Sequence, residues 1–287
     1  MKLGLHGATT MKADLKTDIV SAANAGFQYL ELWAAQEGLY PSKVDHFLET
    51  YSAEDLRRLL DQHDIIPLSF SAIEFIAFRD RQFTQVKERC RQLCELAHII
   101  GCPYISVVAS PLPHWTVSWE TVVREHVIAL QELSLIARPY GLKLAFEFLG
   151  FGWCSVRTPR AAQTIVQQTG CDNVGIIFDA VHFYIGGASL GEISELNPEL
   201  LYLFHLDDVE DTVKEAYTDT IRLLPGQGVI PLADICTRLK EIGYDGPCSV
   251  ELFRPEYWAL DPLQMARQAR EAAVQVLSPY FALEGSS

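Results

Sequence analysis

The chain has 287 residues, 49 % of them aliphatic, aromatic or cysteine and 21 % charged, which supplies ample apolar side chain for a large core and leaves little room for disorder. A formal net charge of −14 repels phosphate backbones and anionic lipid heads, so nucleic acid and membranes are not expected partners. No stretch reaches the roughly 18 apolar residues of a membrane span, Met1 to Met11 lacks the basic and apolar regions of a signal peptide, and the seven cysteines include no C-x-x-C pair; a soluble cytoplasmic protein with free thiols is expected.

Short apolar runs recur along the chain at Leu3–Leu5, Tyr29–Trp33, Ile65–Phe70, Tyr104–Ala109, Leu144–Phe148, Val174–Phe178, Leu201–Leu206 and Cys248–Phe253. The segments between most of them carry helical spacing, as in Ala53-x-x-Leu56-x-x-Leu59-Leu60 and Leu232-x-x-Ile235-x-x-x-Leu239. Near-continuous apolar strands imply burial on both faces, and eight right-handed β/α units close into an α/β (β/α)8 TIM barrel of ordinary size. An open doubly wound sheet is disfavoured, because His6-Gly7-Ala8-Thr9-Thr10 after the first strand is no dinucleotide fingerprint. One domain is expected over residues 1–282, followed by a frayed tail at 283–287.

Four strands of the second half end in an ionisable residue after an apolar run: Glu147, Asp179, His205 and Glu251. Carboxylates are seldom buried unless paired or metal-bound, and the strand C-termini of a barrel open at one face. Taken singly, each residue reads as a polar strand cap. Taken together, they converge at one mouth and suit one divalent ion, Mn²⁺, Co²⁺ or Zn²⁺.

Other residues fall near the same mouth. His182, three residues after Asp179, could return to it to orient substrate or shuttle a proton. Glu31 and His6 end the second and first strands; either could line the pocket, and Glu31 could equally pair with a cation inside the barrel. Glu74 follows the third strand. Trp33, Phe151, Trp153 and Tyr257-Trp258 follow strand ends, where a sugar ring would need apolar walls. Arg222 precedes Pro225-Gly226-Gln227-Gly228, a turn able to cradle phosphate through its N–H groups or to serve as a tight connection. The acidic mouth suits an uncharged polyol or ketose better than a phosphate ester.

At Phe146-Glu147, Phe178-Asp179-Ala180-Val181-His182-Phe183, Phe204-His205-Leu206-Asp207-Asp208 and Val250-Glu251-Leu252-Phe253-Arg254-Pro255-Glu256-Tyr257 the sequence resembles the xylose-isomerase-like barrel superfamily. Within it the likeness is greatest to the inosose isomerases. It runs through Tyr280 and includes Ala8-Thr9-Thr10, Arg79-Asp80 and the Asp172-x-Val174-x-x-x-Phe178-Asp179 approach. The resemblance implies Glu147, Asp179, His205 and Glu251 as metal ligands, with Glu147 and Glu251 also catalytic as proton carriers. It implies interconversion of 2-keto-myo-inositol and a 1-keto inositol through an enediolate, with His182 and Arg222 near the substrate oxygens. The chain departs from that family at His6-Gly7, Trp33 and Phe151-Gly152-Trp153, which makes the rim more aromatic. Ketose 3-epimerisation and dehydration of an inosose or keto-acid are the alternative chemistries. Homo-oligomerisation is possible for such barrels, and no surface patch in the sequence decides it.

Overall fold

The computed structural model describes residues 1–36, 40–213 and 216–284, the side chain of Arg81 excepted. Each apolar run becomes a strand: β1 Lys2–His6, β2 Tyr29–Trp33, β3 Ile66–Ile73, β4 Tyr104–Val108, β5 Lys143–Glu147, β6 Val174–Asp179, β7 Leu201–Leu206 and β8 Pro247–Val250. They pair in parallel in chain order, and β8 returns to β1 to close the barrel. The two helices expected from spacing form at Ala53–Gln62 and Leu232–Glu241. Ser52 and Asp55 cap the first reciprocally, satisfying N–H groups that a helix start leaves free.

The last strand stops earlier than its apolar run. Beyond Val250 the hydroxyl of Thr9 takes over from the ladder, donating to Val250 O (2.8 Å) and accepting from Leu252 N (3.1 Å). Glu251 is therefore the first residue past the sheet, free to turn inward.

Side chains two positions apart on a strand share a face, and this period sets the barrel interior in layers. Tyr29, Ala145, Ile177 and Leu203, with Leu68 and Tyr202, form an apolar plug. Two residues further along the same strands come Glu31, Glu147, Asp179 and His205. The polar layer thus stands on a packed floor that keeps water from reaching it from below. Strand residues of the opposite face join the helices in the main core, which runs from Met1 to Phe281.

The tail expected to fray is held at its start. Glu284 N donates to Met1 O (3.1 Å), and the Tyr29 hydroxyl donates to the Glu284 carboxylate (2.7 Å). Residues 285–287 lie outside the described residues.

A buried ion pair fixes the first loops of the mouth. Lys43 Nζ donates to Gly7 O (2.9 Å), Thr10 O (2.8 Å) and Asp18 Oδ2 (2.7 Å), and Thr10 Oγ1 donates to Asp18 Oδ1 (2.7 Å). Burial pushes Asp18 up to about 6, against the pull of Lys43, and burial likewise holds Lys43 below its ordinary value. Desolvation therefore outweighs the attraction at both ends, and stability depends on the pair remaining complete. Lys43→Met should destabilise the fold by about 3–5 kcal/mol in urea unfolding at neutral pH. Without Lys43 the folded protein holds the Asp18 proton more tightly than the unfolded chain, so the loss should grow as pH rises from 6 to 8. A loss that is flat or shrinks over that range would contradict this account.

Candidate active site

His205 is the hub. Its ring is fully buried, opposite Asp179 on β6 and Ser249 on β8. Nδ1 lies 3.1 Å from Glu147 Oε1, 3.3 Å from Glu251 Oε2 and 3.9 Å from Asp179 Oδ2. Nε2 lies 3.1 Å from Glu31 Oε1, which also accepts from Ser249 Oγ. Burial opposes a charge on this ring, but Glu251, Glu31 and Glu147 overcome it and hold His205 well above its usual value. Burial raises Glu31 too, and His205, His6 and Ser249 more than reverse it.

The glutamates that flank His205 differ. Burial pushes Glu147 up to about 7, with Glu251 and Asp179 adding to the rise and His205 opposing it. Burial acts in the same sense on Glu251, yet His205, His6 and Arg222 together hold it well below the ordinary carboxylate range.

His6 supports Glu251 from behind. Its Nδ1 accepts from Ala8 N (3.0 Å), so the neutral ring carries its proton on Nε2, 3.2 Å from Glu251 Oε1. Burial keeps that ring neutral despite Glu251 and Glu31. His6, Glu31 and His205 are close enough to resemble a second metal cluster. The His6 tautomer argues against it, since a protonated Nε2 is a donor and not a ligand.

Arg222 closes the other side. Its Nη1 faces Asp179 Oδ2 (3.0 Å), Glu251 Oε2 (2.8 Å) and Asp207, while Nη2 faces Asp219 Oδ1 (3.0 Å) and His182 Nε2 (3.2 Å). A guanidinium only donates, so His182 Nε2 accepts and its proton sits on Nδ1, which has no hydrogen-bond partner among the described residues. Burial, followed by the opposing effect of Asp179, leaves the His182 pKa lowered.

The glycine-rich turn after Arg222 holds an anion of its own. Asp208 accepts from Gly226 N (3.1 Å), Gly228 N (2.9 Å), Ile230 N (2.9 Å) and Val209 N (2.9 Å). A side chain at Gly228 would lie 2.2 Å from Val209 O and 2.4 Å from Asp208 Oδ1. The turn is the tight connection and does not serve as a phosphate cradle.

A cavity of ≈160 Å³ opens above this layer, with Glu147, His182, Arg222, Glu251, Trp33 and Trp153 among its walls. Asp179 and His205 stand behind it. Glu31 and His6, expected in the pocket, do not line it: each is fully buried behind its wall, against His205 and Glu251. The pairing of Glu31 with a cation inside the barrel is the alternative that the geometry matches. Of the aromatic residues after strand ends, Trp33 and Trp153 reach the cavity. Phe151 packs on His182 (5.2 Å), and Trp258 is buried, its Nε1 donating to Ala8 O (2.8 Å). Sequence reasoning missed Asp207 as a partner of Arg222. Burial, then Asp179, raises Asp207 well above the usual range, and its Oδ1 accepts from Val181 N (3.0 Å). The doublet Asp207-Asp208 after His205 was the available signal.

The family model for xylose isomerase-like TIM barrels matches residues 19–275. The chain belongs to that family. The inosose isomerase of Bacillus velezensis is 34 % identical, covering 99 % of this chain and 100 % of the relative, and that of Halalkalibacterium halodurans is 33 % identical with 99 % of each covered. The crystal structure of IOLI protein with a bound zinc atom aligns at a TM-score of 0.92 with 33 % identity, covering 98 % of this chain and 100 % of that one. D-psicose 3-epimerase from Clostridium cellulolyticum H10 shares the family fold at a TM-score of 0.75 and 21 % identity, covering 98 % and 99 %.

The site suits a divalent cation on its own chemistry. One ligand atom from each of Glu147, Asp179, His205 and Glu251 falls within 4.8 Å of all the others, and all four residues are buried. Among the described residues, Glu31, Glu147, Asp179, Asp207 and Glu251 face one guanidinium and one imidazolium, a surplus of negative charge that a cation would relieve. Zinc at a hundred times its Kd should stabilise the protein by about 2.7 kcal/mol, read as a Tm rise of a few degrees that chelator reverses. Asp179→Asn should shrink the rise, and a Tm indifferent to Zn²⁺, Mn²⁺ and Co²⁺ would remove the metal centre.

Proposed function

We propose that the protein is a divalent-metal-dependent isomerase interconverting 2-keto-myo-inositol and a 1-keto inositol. The observation that carries this reading is the pair Glu147 and Glu251, two carboxyl groups that belong to the buried four-residue cluster and also stand in the wall of a cavity sized for one ring. Full-length relatives named inosose isomerase at 33 and 34 % identity support the substrate class.

A divalent cation held by Glu147, Asp179, His205 and Glu251 would polarise a substrate carbonyl and stabilise negative charge developing on its oxygen. Mn²⁺, Co²⁺ and Zn²⁺ all suit three carboxylates and an imidazole. Glu251 takes the proton from the carbinol carbon beside the carbonyl, giving an enediolate. Glu147 delivers a proton to the former carbonyl carbon, and exchange of both carboxyl groups with solvent returns Glu251 to the carboxylate and Glu147 to the acid before the next turnover. The carbonyl has then moved by one position, and the hydroxyl proton must cross between adjacent oxygens. The Nδ1–H of His182 is the donor offered to those oxygens, held in its tautomer by Arg222. Arg222 also keeps Asp179 and Glu251 in place. The aromatic walls Trp33, Phe253 and Trp153 cover the ring's C–H faces and limit water.

Glu31 and His6 take the role of positioning residues. Glu31 faces the His205 imidazole as an ion-pair partner 3.1 Å from Nε2, which leaves Nδ1 to the metal centre, and His6 lies 3.2 Å from Glu251.

In D₂O, 2-keto-myo-inositol should give the 1-keto isomer with deuterium beside the carbonyl, and chelator should stop the reaction. Ketohexose epimerisation without inosose conversion would move the function to the 3-epimerase, which the same two glutamates could serve. Glu251→Gln should cut kcat by about 10²–10⁴-fold while metal binding weakens only in part. Wild-type turnover by that variant would end the assigned role. Glu31→Gln, with no cavity contact, should lower metal affinity by about 10–100-fold, measured by calorimetry. Unchanged affinity would return Glu31 to a purely structural part.

A further inference from the structure

Beside the reacting cavity lies a larger one of ≈490 Å³, bounded by Phe151, Gly152, Trp153, Arg157, Gly186 and Tyr217 among others. Trp153 is a wall of both. The reacting cavity, at ≈160 Å³, has room for a single ring, whereas its neighbour falls within the roughly 300–1,000 Å³ of ordinary ligand sites.

Trp153 is set as a platform. One face stacks on Phe151 (5.4 Å, 15° between planes), an edge meets Phe75 (6.0 Å, 84°), and the residue is nevertheless 46 % exposed. An indole fixed by two aromatic neighbours with so much surface uncovered offers a ring-stacking surface at little entropic cost. The space beside Gly152 is open, since a Cβ there would meet nothing within 4 Å.

The charges differ between the two cavities. The acidic residues Glu74, Glu147, Asp219 and Glu251 line the reacting cavity, but the ionisable wall of its neighbour is Arg157 with Tyr217. Arg157 donates from Nε (3.0 Å) and Nη2 (2.9 Å) to Gly150 O, and among the described residues it has no carboxylate partner. In a chain of net charge −14, this is a cation at the mouth with donor capacity to spare.

We propose that the larger cavity is a second subsite of the same active site, which takes a ring substituent carried by the reacting polyol and binds an acidic group on that substituent through Arg157. The proposal rests on the reading of the reacting cavity as a polyol site. It widens the substrate class from a free cyclitol to a polyol ring joined to a second ring bearing a carboxylate.

The test uses calorimetric titration of the zinc-loaded protein with myo-inositol, methyl β-D-glucoside, phenyl β-D-glucoside and 4-carboxyphenyl β-D-glucoside. The phenyl compound should bind more tightly than the methyl one, and the carboxyphenyl compound at least about tenfold more tightly than the methyl one. Trp153→Ala should remove the gain from the phenyl ring. Arg157→Met should remove only the gain from the carboxylate, and Arg157→Lys should recover part of it. Equal affinity of the methyl and carboxyphenyl glucosides for the unmodified protein would overturn the subsite without any variant. Binding of myo-inositol alone, with every glucoside excluded, would overturn the subsite and leave the cyclitol reading standing. Failure of all four to bind would remove both.

Discussion

The structure turns on the burial of five carboxyl groups at one end of the barrel. Removing an isolated carboxylate from water costs several kcal/mol, and Glu31, Glu147, Asp179, Asp207 and Glu251 are all buried, each against His205 or Arg222. Arg222 and His205 meet part of that cost. Both lie at the centre of the layer and face several acids at once, Arg222 through a planar fork that reaches Asp179, Asp207, Asp219 and Glu251 together. A lysine ammonium could not span those positions while also orienting His182. The remaining negative charge makes the site a cation trap, and that is a property of the fold before any substrate arrives.

Such an arrangement needs rigid supports, because like charges a few ångströms apart would otherwise relax away from one another. The period of two along each strand supplies the first support. Apolar Tyr29, Ala145, Ile177 and Leu203 lie directly beneath the polar layer and deny it water from below. Hydrogen bonds from the far side supply the second. Ser249 holds Glu31, Ala8 N sets the His6 tautomer, and Thr9 ties the chain around Glu251. The Lys43–Asp18 pair then fixes the Gly7–Thr10 turn from which Ala8 and Thr9 make those contacts. A lysine remote from the cavity is thereby coupled to the proposed base through a short chain of polar contacts.

The strands were legible in the sequence because parallel barrel strands are buried on both faces and read as apolar runs. Glu147, Asp179, His205 and Glu251 stood out because a charge at the end of such a run is costly to bury. Depth was not legible. Glu31 and His6 also end strands, and nothing in their local sequence separates a pocket wall from a support behind it; the difference lies in register, with His6 opposite Glu31 and His205 opposite Ser249. Asp207 escaped notice because its partner Arg222 is 15 residues away across a loop, beyond any local spacing rule. The early end of β8 was hidden for a similar reason, since Thr9 interrupts the ladder from the opposite end of the chain.

The Gly226–Ile230 turn shows how the same motif can exclude a ligand that it seems built to hold. Its amides converge as those of a phosphate cradle do, yet the Asp208 carboxylate already accepts three of them, along with the amide of Val209. A phosphate would have to displace a covalently attached anion and then approach a layer with surplus negative charge. Two independent terms, a filled nest and an acidic wall, therefore select against phosphorylated sugars in the reacting cavity. A neutral polyol meets neither penalty. Its hydroxyls can accept from the His182 Nδ1–H and donate to the carboxylates, and its C–H faces can rest against Trp33 and Phe253. Discrimination between free and phosphorylated substrates then rests on the carboxylates of the cavity wall, with Asp208 already holding the amides that a phosphate would otherwise use.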